Sequence, residues 1–376
     1  MNKPQSLYIG LMSGTSLDGI DAVLAKIEAS GETSLLDSAS VAFSPELRKA
    51  LLDLQTPGPN EIHRENQAGN SLAAAYADAV KQLLSQTKLS PAEISAIGAH
   101  GQTIRHQADL AHHLAYTHQT LNPALLAELT GIDVIADFRS RDLAAGGHGA
   151  PLVPAFHAQQ FATDKNISVL NLGGIANLTL LPKEGEVKGF DCGPGNMLMD
   201  AWIAEQQGHA FDENGTWASQ GKVNQALLSR MMTDSFFAKA PPKSTGRDDF
   251  HLEWLHKQIG SDNINAEDVQ ATLLQLTVDS ALQALERYAP QTQTLVICGG
   301  GARNTALLDL FKSRAEDLFK NSLEIVTSDA LGIDPQLVEG LAFAWLAWAH
   351  KEKRPANLPA VTGAKGPRIL GACYPA

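Results

Sequence analysis

The stretch that decides the fold lies near the start of the chain and reads Leu7-Tyr8-Ile9-Gly10-Leu11-Met12-Ser13-Gly14-Thr15-Ser16-Leu17-Asp18-Gly19-Ile20-Asp21. An apolar run leads into a turn rich in glycine and hydroxyl side chains, and a second apolar run follows at 22–25. This pattern predicts a strand, a tight turn and a second strand. Glycines let backbone N–H groups approach an anion, and hydroxyls add donors. The stretch therefore predicts a phosphate-binding hairpin, although a plain hairpin turn has the same composition.

The hairpin also carries two carboxylates, Asp18 and Asp21. Carboxylates repel a bare phosphate, but they fit a site in which a divalent cation lies between carboxylate and phosphate. We therefore expect Asp18 and Asp21 to hold Mg²⁺, partly through water.

Composition and charge exclude several classes of protein. A chain of 376 residues is too long for one ordinary core and suggests two domains or lobes. The net charge of −12, with no basic block, argues against nucleic acid and anionic membranes as partners. The N-terminus shows no targeting pattern, and no apolar run reaches the ~18 residues of a membrane span. We therefore expect a cytoplasmic protein. Its three cysteines fit neither a disulfide framework nor a zinc site.

Two later stretches resemble the opening hairpin. Residues 167–180 again place a glycine turn, Gly173-Gly174, between apolar runs, and a later apolar run leads into Gly299-Gly300-Gly301. Three glycines let a flat nucleoside approach the backbone closely. The motifs of the P-loop and of the dinucleotide-binding fold are absent. Two similar lobes that clasp a nucleotide are therefore expected, as in the actin-like arrangement.

Polar side chains follow two further predicted strands. His100-Gly101-Gln102-Thr103 follows one apolar run, and Arg139 follows another. In open α/β sheets, ligands bind at the carboxyl ends of the strands. Arg139 suits a bidentate contact with a carboxylate, but an ion pair with Asp137 or Asp142 explains it equally well.

Two carboxylates in the second half of the chain are candidates for chemistry. Asp191 ends a predicted strand and precedes a Gly-Pro-Gly-Asn turn at a helix start, where it either stands free to react or caps the helix. Glu339 lies in an apolar helix predicted over 335–350. A carboxylate there needs either a hydrogen-bonding or charged partner or a functional role, because burial of an unpaired charge costs free energy.

Two further groups of residues carry weaker signals. The histidines after residue 99 lack the spacing of a metal site, so we expect exposed loop histidines instead. Lys243 and Arg247 flank a Ser-Thr-Gly turn, where surface exposure is the commoner explanation of positive charge. The histidines in question are His100, His106, His112, His113 and His118.

The stretch from Gly10 to Asp21 closely resembles the opening of the bacterial 1,6-anhydro-N-acetylmuramic acid kinases, members of the sugar kinase/Hsp70/actin superfamily. The resemblance covers nearly the whole chain, and the joint match is highly specific. One small departure is Cys192, where threonine is more usual and similar in size. The other matching segments are 100–103, 137–142, 171–177, the turn at 191–196, 243–247, 298–304 and Glu339.

The resemblance implies the fold and the reaction. The fold would be α/β, a two-lobed actin-like ATPase (ribonuclease H-like) fold with the active site in the interlobe cleft. Lobe I would comprise 1–150 plus 340–376, and lobe II 151–339. The reaction would open the 1,6-anhydro ring of the amino sugar with water and phosphorylate O6 from ATP with Mg²⁺, in cell-wall recycling. A homodimer is compatible with the sequence, which does not set the oligomeric state.

The resemblance also implies roles for individual residues. Asp191 would be the catalytic base, and Glu339 a second carboxylate near the sugar or its water. The substrate-binding residues would be His100, Gln102, Thr103 and Arg139, with Arg139 on the lactyl carboxylate. The nucleotide-binding residues would be Met12, Ser13, Gly14, Thr15, Ser16, Leu17, Asp18, Gly19, Gly173, Gly174, Asn177, Gly299, Gly300, Gly301 and Asn304.

Two alternative functions remain open at this point. One is a kinase of another sugar, or of a carboxylate, on the same fold. The other is an ATP-driven conformational protein of the chaperone or filament type, in which water attacks ATP itself. A chaperone normally carries an added peptide-binding domain, and few residues follow the last predicted helix.

Overall fold

The structure is a computed structural model that describes residues 6–14, 17, 19–108, 110–111, 113–320 and 322–376. The chain divides into two compact units, which we call unit 1 (Met1–Gln160 and Leu337–Ala376) and unit 2 (Phe161–Gln336). Thr15, Ser16, Asp18 and His112 lie outside the described residues.

Strands and helices alternate along much of the chain. The strands are β1 (Ser6–Met12), β2 (Gly19–Ile27), β3 (Thr33–Ala42), β4 (Ile94–Ala99), β5 (Gln102–Gln107), β6 (Tyr116–Thr120), β7 (Val134–Ala136), β8 (Ile167–Leu172), β9 (Ile175–Leu181), β10 (Lys188–Pro194), β11 (Thr294–Cys298), β12 (Glu324–Thr327) and β13 (Ala372–Tyr374). The helices are α1 (Pro45–Asp53), α2 (Glu61–Thr87), α3 (Pro123–Thr130), α4 (Ser140–Ala144), α5 (Val153–Phe161), α6 (Met197–Gln207), α7 (Gln225–Met232), α8 (Ser235–Ala238), α9 (Leu252–Ile259), α10 (Ala266–Tyr288), α11 (Thr305–Phe319), α12 (Val338–Lys351) and α13 (Pro359–Thr362).

Each unit is built on a mixed sheet, and in the described part of the chain five strands have the same order in both sheets, while the sheet of unit 1 has β13 as a sixth strand. Within the described residues, the sheet of unit 1 runs β13-β7-β4-β1-β2-β3, and that of unit 2 runs β10-β9-β8-β11-β12. In each sheet, the first three strands are antiparallel neighbours (β1–β2–β3 and β8–β9–β10). A fourth strand pairs in parallel with the first (β4 and β11), and a fifth pairs in parallel with the fourth (β7 and β12). The predicted α/β class and the two-part organisation are therefore confirmed, as are the hairpins β1–β2 and β8–β9.

Each unit also has its own hydrophobic core. Apolar side chains of α2 and α3 pack on the sheet of unit 1, and those of α6, α10 and α11 pack on the sheet of unit 2. Burial of this kind supplies most of the free energy that favours folding. No helix among the described residues is long and apolar enough to cross a membrane.

Helix α12 packs so closely on the sheet of unit 1 that glycines are required beneath it. A Cβ atom added at Gly10 would lie 1.9 Å from the carbonyl oxygen of Gly340, and one added at Gly98 would lie 2.0 Å from that of Phe343. Heavy atoms do not approach so closely. The glycine at position 10 is therefore explained by the packing of the helix, whereas the sequence suggested an approach to an anion.

Candidate active site

Hydrogen bonds join the turn after β1 to the turn after β4. The buried hydroxyl of Ser13 donates to the carbonyl oxygen of Gly101 (3.1 Å) and lies 2.9 Å from the hydroxyl of Tyr76. The side-chain amide of Gln102 donates to the carbonyl oxygen of Gly14 (3.3 Å). These contacts engage the Ser13 hydroxyl, which the sequence had suggested as a phosphate donor. The group of Ser13 that can still contact a phosphate is therefore its backbone N–H.

Asp21 stands on β2, directly opposite Met12 of β1 and Ser40 of β3. Its Oδ1 atom accepts a hydrogen bond from the Ser40 hydroxyl (2.7 Å). An oriented, half-buried carboxylate suits Mg²⁺, which prefers oxygen ligands and keeps several of its waters. The described part of the chain contains no group of three or more His, Cys, Asp or Glu residues able to hold a metal. Asp18, the other predicted ligand, lies outside that part.

The predicted sugar-binding residues lie in unit 1, and Arg139 and His100 are in contact. Arg139 donates from Nη2 (2.9 Å) and Nε (3.3 Å) to Nε2 of His100, and from Nη1 to the carbonyl oxygen of Gly149 (2.9 Å). Burial, followed by the positive charge of Arg139, lowers the pKa of His100 to about 3. The imidazole is therefore neutral at pH 7, and its Nε2 atom is the acceptor. His100 holds the guanidinium in a defined orientation.

Thr103 and Gln102 begin β5, which pairs with β6 in a two-stranded sheet. The Thr103 hydroxyl accepts from Nε2 of Gln119 (3.1 Å), its cross-strand neighbour, and the Thr103 carbonyl accepts from Gln55 (3.1 Å). Gln102 is 1% exposed, and its Oε1 atom has no hydrogen-bond partner among the residues described. A buried carbonyl of this kind is an acceptor suited to a ligand hydroxyl.

The sequence predicted exposed loop histidines after residue 99, and this holds for only some of them: His113 lies exposed in a turn and His118 is exposed on β6, whereas His100 is buried and His106 is half-buried on β5. His106 lies 3.0 Å from the Thr117 hydroxyl, and His118 lies 2.9 Å from Glu65. A short polar hairpin, which the sequence did not predict, explains these contacts.

The second glycine turn is joined to the turn that follows Asp191. The backbone N–H of Gly195 donates to the carbonyl oxygen of Gly174 (2.9 Å), and that of Asn196 donates to the carbonyl oxygen of Gly173 (2.9 Å). A Cβ atom at Gly195 would lie only 2.3 Å from the latter oxygen. The hairpin turn and the start of α6 therefore form one hydrogen-bonded piece of unit 2.

Asp191 lies on β10, opposite Asn177 of β9. Its Oδ2 atom accepts from the backbone N–H of Thr245 (2.9 Å), and its own N–H donates to the carbonyl oxygen of Lys243 (3.1 Å). The N-cap position of α6 is Asn196, so the alternative in which Asp191 caps that helix is wrong. The carboxylate is half-buried and is held by the loop that contains the Ser-Thr-Gly turn.

Lys243 of that loop is buried, whereas its position in a polar loop indicated surface exposure. The side chain is 7% exposed. Its Nζ atom donates to the carbonyl oxygen of Phe236 (3.2 Å) and lies 4.4 Å from the centroid of the Phe236 ring. Burial lowers the pKa of Lys243, and the neighbouring Cys192 and Asp191 act in the opposite direction. The sequence did not predict this burial, because burial of a loop lysine depends on the aromatic residues that fold over it.

The three glycines after β11 differ in their surroundings. Gly299 has φ +83°, and a Cβ atom there would lie 2.4 Å from Oδ1 of Asn171. A Cβ atom at Gly301 would lie 2.7 Å from that of Leu172. Gly300 is exposed and has no heavy atom within 4 Å of an added Cβ. The outer glycines therefore serve packing against β8, and Gly300 alone of these three presents open backbone.

A cavity of about 560 Å³ adjoins this turn. Asn304 caps α11 by accepting from the N–H of Leu307 (3.0 Å), so its side-chain oxygen is engaged in the helix start. Arg303 donates to the carboxylate of Asp334 across the cavity wall (3.1 Å). The volume suits a small organic ligand. The lining residues are Ala302, Arg303, Leu308, Thr327, Asp329, Gly332, Asp334 and Pro335.

Glu339 lies in the first turn of α12 in unit 1, and is half-buried. The following residues of the helix are buried up to Ala349, as the apolar sequence predicts. A helix N-terminus favours negative charge, which offsets part of the cost of taking a carboxylate out of water.

The whole chain matches known proteins. Residues 6–376 match the family model described as anhydro-N-acetylmuramic acid kinase. Curated proteins of that name are 52% identical in Ralstonia nicotianae, over 98% of this chain and 97% of that protein, and 50% identical in Nitrosomonas europaea, over 98% and 99%. Among solved structures, component A of (R)-2-hydroxyglutaryl-CoA dehydratase from Acidaminococcus fermentans is similar, with 12% identity, a TM-score of 0.49 and coverage of 90% of this chain and 96% of that one. The chain belongs to the anhydro-N-acetylmuramic acid kinase family.

Proposed function

We propose that this protein opens the 1,6-anhydro ring of 1,6-anhydro-N-acetylmuramic acid with water and transfers the γ-phosphoryl group of ATP to O6. The products are N-acetylmuramic acid 6-phosphate and ADP, and the reaction serves the recycling of cell-wall sugars. Membership of the family supports this activity. The observation that carries the mechanism is the half-buried carboxylate of Asp191, oriented by the backbone N–H of Thr245.

Asp191 acts as the general base. It takes a proton from a water molecule, whose oxygen bonds to the anomeric carbon while the bond from that carbon to O6 breaks. The released O6 attacks the γ-phosphorus, and the bond to the β-phosphate oxygen of ATP breaks. The hydrogen bond from the Thr245 N–H orients the carboxylate and leaves its negative charge in place. Glu339 is proposed as a second carboxylate beside the sugar or its water.

The nucleotide is assigned to the glycine turns. The phosphates lie on backbone N–H groups of residues 12–19 and on the turn Gly173-Gly174 with Asn177. Adenosine lies on Gly299-Gly300-Gly301 and Asn304, and the open backbone at Gly300 with the adjoining cavity supports this assignment. Asp18 and Asp21 would hold Mg²⁺, which would supply positive charge to the transferring phosphoryl group.

The sugar is assigned to residues of unit 1. Arg139 binds the lactyl carboxylate, because a guanidinium fixed by His100 and Gly149 presents its N–H groups in one direction. His100, Gln102 and Thr103 complete the contacts, and the unsatisfied Oε1 atom of Gln102 supports a hydrogen bond from a sugar hydroxyl. A cytoplasmic location belongs to this proposal, since ATP is a substrate.

The test uses substrate labelled with ¹⁸O at O6 and a coupled assay for ADP. We expect ADP formation only with the anhydro-sugar, and the label in the bridge between carbon 6 and phosphorus, visible as an isotope shift in ³¹P NMR. Unlabelled phosphate ester would show that O6 is not the nucleophile. Equal ATP turnover without sugar would instead identify an ATP-driven conformational protein.

A further inference from the structure

Asp142 is a fully buried carboxylate that the proposed reaction does not use. It lies on α4, three residues after Arg139, and is 0% exposed. Burial of a carboxylate is costly unless hydrogen bonds compensate it. Its Oδ1 atom accepts from Nδ2 of Asn357 (2.6 Å) and from the hydroxyl of Thr362 (2.8 Å), and its Oδ2 atom accepts from the N–H of Gly149 (2.8 Å). Side chains and backbone from two distant segments thus converge on one carboxylate.

Gly149 connects this carboxylate to Arg139. Its N–H donates to Asp142, and its carbonyl oxygen accepts from Nη1 of Arg139 (2.9 Å). The loop lies tightly on the carboxylate, because a Cβ atom at Gly147 would lie 2.2 Å from Oδ2 of Asp142. Gly149 itself has φ +70°, a conformation that other residues rarely adopt. The position of the Gly149 carbonyl, and with it one side of the guanidinium, therefore depends on Asp142.

The segment 357–365 is held to the same loop by its backbone. The N–H of His148 donates to the carbonyl oxygen of Thr362 (2.8 Å), and the N–H of Lys365 donates to that of Ala145 (2.8 Å). Asp142 therefore lies at the centre of a junction in unit 1 between the loop 145–149 and the segment 357–365. Such a network is cooperative, because each bond orients the groups that make the next.

We propose that Asp142 is a positioning residue that sets the orientation of Arg139 through Gly149, and so determines how well the enzyme recognises the carboxylate of its sugar substrate. This inference rests on the proposed function, in which Arg139 contacts that carboxylate. Asp142 itself does not contact the substrate, and residues 357–362, which hold Asp142, contribute to sugar recognition in the same indirect way. The expected signature is a loss that depends on whether the sugar carries the carboxylate.

The experiment compares two sugars in one variant, Asp142→Asn. The new amide group places an N–H₂ donor opposite one of the donors now bound to the carboxylate, and the loop shifts. We expect KM for the anhydro-muramic substrate to rise about tenfold, which corresponds to about 1.4 kcal/mol. The inhibition constant of the analogue that has a hydroxyl in place of the lactyl ether should stay within about twofold. Equal weakening of both sugars would overturn the positioning role.

Two further variants make the result decisive. Asp133→Asn is the matched control, because Asp133 also accepts from the C-terminal segment, from the N–H of Ala376 (3.1 Å) and Nζ of Lys351 (3.0 Å), but has no contact with the Gly149 loop among its assigned bonds. It should change neither the KM for the anhydro-muramic substrate nor the inhibition constant of the analogue.

Thr362→Val removes one donor to Asp142 with little change in shape, and should give the same selective loss at about threefold. If Asp142→Asn does not fold, Thr362→Val decides: a selective loss supports the role, and an unselective or absent loss overturns it.

Arg139→Ala separates this inference from the function on which it rests. We expect this variant to lose affinity for the carboxylated sugar and to keep that for the analogue. If it does so and Asp142→Asn does not, the positioning role is wrong while the carboxylate contact stands. If Arg139→Ala weakens both sugars equally, the contact itself is wrong, and the positioning role fails with it.

Discussion

The two units share a strand order, but they carry their key carboxylate on different strands. In unit 1 the third residue of the second strand is Asp21, and in unit 2 the equivalent position on β9 is Asn177. The carboxylate of unit 2, Asp191, lies one strand further out, where unit 1 has Ser40. The corresponding cross-strand rows are Met12, Asp21 and Ser40 in unit 1, and Asn171, Asn177 and Asp191 in unit 2.

The proposed roles give this one scaffold two tasks, a metal contact at Asp21 and a general base at Asp191. In unit 1, Asp21 lies on β2, which has β1 on one side and β3 on the other, and its carboxylate accepts a hydrogen bond from Ser40. On the edge strand of unit 2, Asp191 has β9 on one side only, and its backbone and side chain are held by the loop at Lys243 and Thr245. Directly opposite residues in a sheet lie on the same face. A shift by one strand therefore moves the charge without changing the face.

The largest effect is expected for Asp191→Asn. The amide cannot accept a proton from water, so kcat should fall by about 10³-fold, while the dissociation constant for ATP should stay within about twofold. The hydrogen bond from Thr245 can persist to the amide oxygen, so the melting temperature should not change. Steady-state kinetics and calorimetric titration of ATP test both statements. A kcat within about tenfold of that of the unchanged protein would contradict the role as base.

Asp21→Asn is the matched variant in unit 1. If Asp21 contacts Mg²⁺ through water, the Mg²⁺ concentration that gives half-maximal rate should rise about tenfold, and excess Mg²⁺ should restore kcat. Excess Mg²⁺ should not restore Asp191→Asn. Rescue of both variants, or of neither, would remove the distinction between the two carboxylates.

Smaller effects are expected at two glycines. The change at Gly10 in unit 1 should lower stability, and the change at Gly300 in unit 2 should weaken ATP binding. Gly10→Ala places a methyl group 1.9 Å from the carbonyl oxygen of Gly340, and should destabilise the protein by about 3 kcal/mol because α12 must move off the sheet. Gly300→Ala enters open space, and should leave the melting temperature unchanged while raising KM for ATP about tenfold. Thermal unfolding and ATP kinetics are measured for both variants. A stable Gly10→Ala protein, or an unchanged KM in Gly300→Ala, would refute the respective explanation.

The smallest effect concerns pH. The two histidines that are buried in the described residues, His100 and His157, both lie in unit 1, and burial lowers the pKa of His157 from 6.5 to about 3. Between these values the unfolded chain binds the extra proton, so the free energy of unfolding decreases as pH falls from about 6.5 to about 3. The slope is at most about 1.4 kcal/mol per pH unit for each histidine.

His157→Gln should therefore flatten the pH dependence of unfolding by denaturant below pH 6.5. Hydrogen exchange locates the effect: peptides of unit 1 should lose protection on acidification before those of unit 2. Earlier loss in unit 2 would mean that the buried histidines do not set the acid sensitivity. Comparison with His157→Gln at pH 7.5, where the unchanged histidine is neutral in both states, controls for the change in packing.

Sequence patterns predicted the hairpins and the glycine turns, because apolar runs interrupted by glycine have few other solutions. They did not predict β3. The spacing of Leu47, Leu51 and Leu54 indicates a helix over 41–54, and α1 does occupy Pro45–Asp53, but Val41 belongs to β3, which ends at Ala42. Most residues of this edge strand are exposed or half-buried, and it contains serines and an aspartate, so its composition resembles that of a loop.

The candidate site was predicted as separate residues and not as a network. Arg139 follows β7, as predicted, but the prediction that Asp191 ends its strand is wrong, because β10 continues through Gly193 and Pro194, which the sequence indicated as a turn. The burial of Lys243 and the bonds of Asp142 to Asn357 and Thr362 depend on segments far apart in the chain, and no local pattern encodes such contacts. The function of Gly10 was misjudged for the same reason, since its neighbour α12 comes more than 300 residues later.

The long separation between β1 and α12 has a consequence for synthesis on the ribosome. Unit 2 is continuous in the chain, whereas unit 1 is completed by Leu337–Ala376. Strand β1 therefore lacks its covering helix α12 until more than 300 further residues have been made, by which time every strand of the unit 2 sheet has been synthesised. Nascent β1 and β4 expose the apolar surface that α12 later covers, and this is the interval in which a chaperone is most useful.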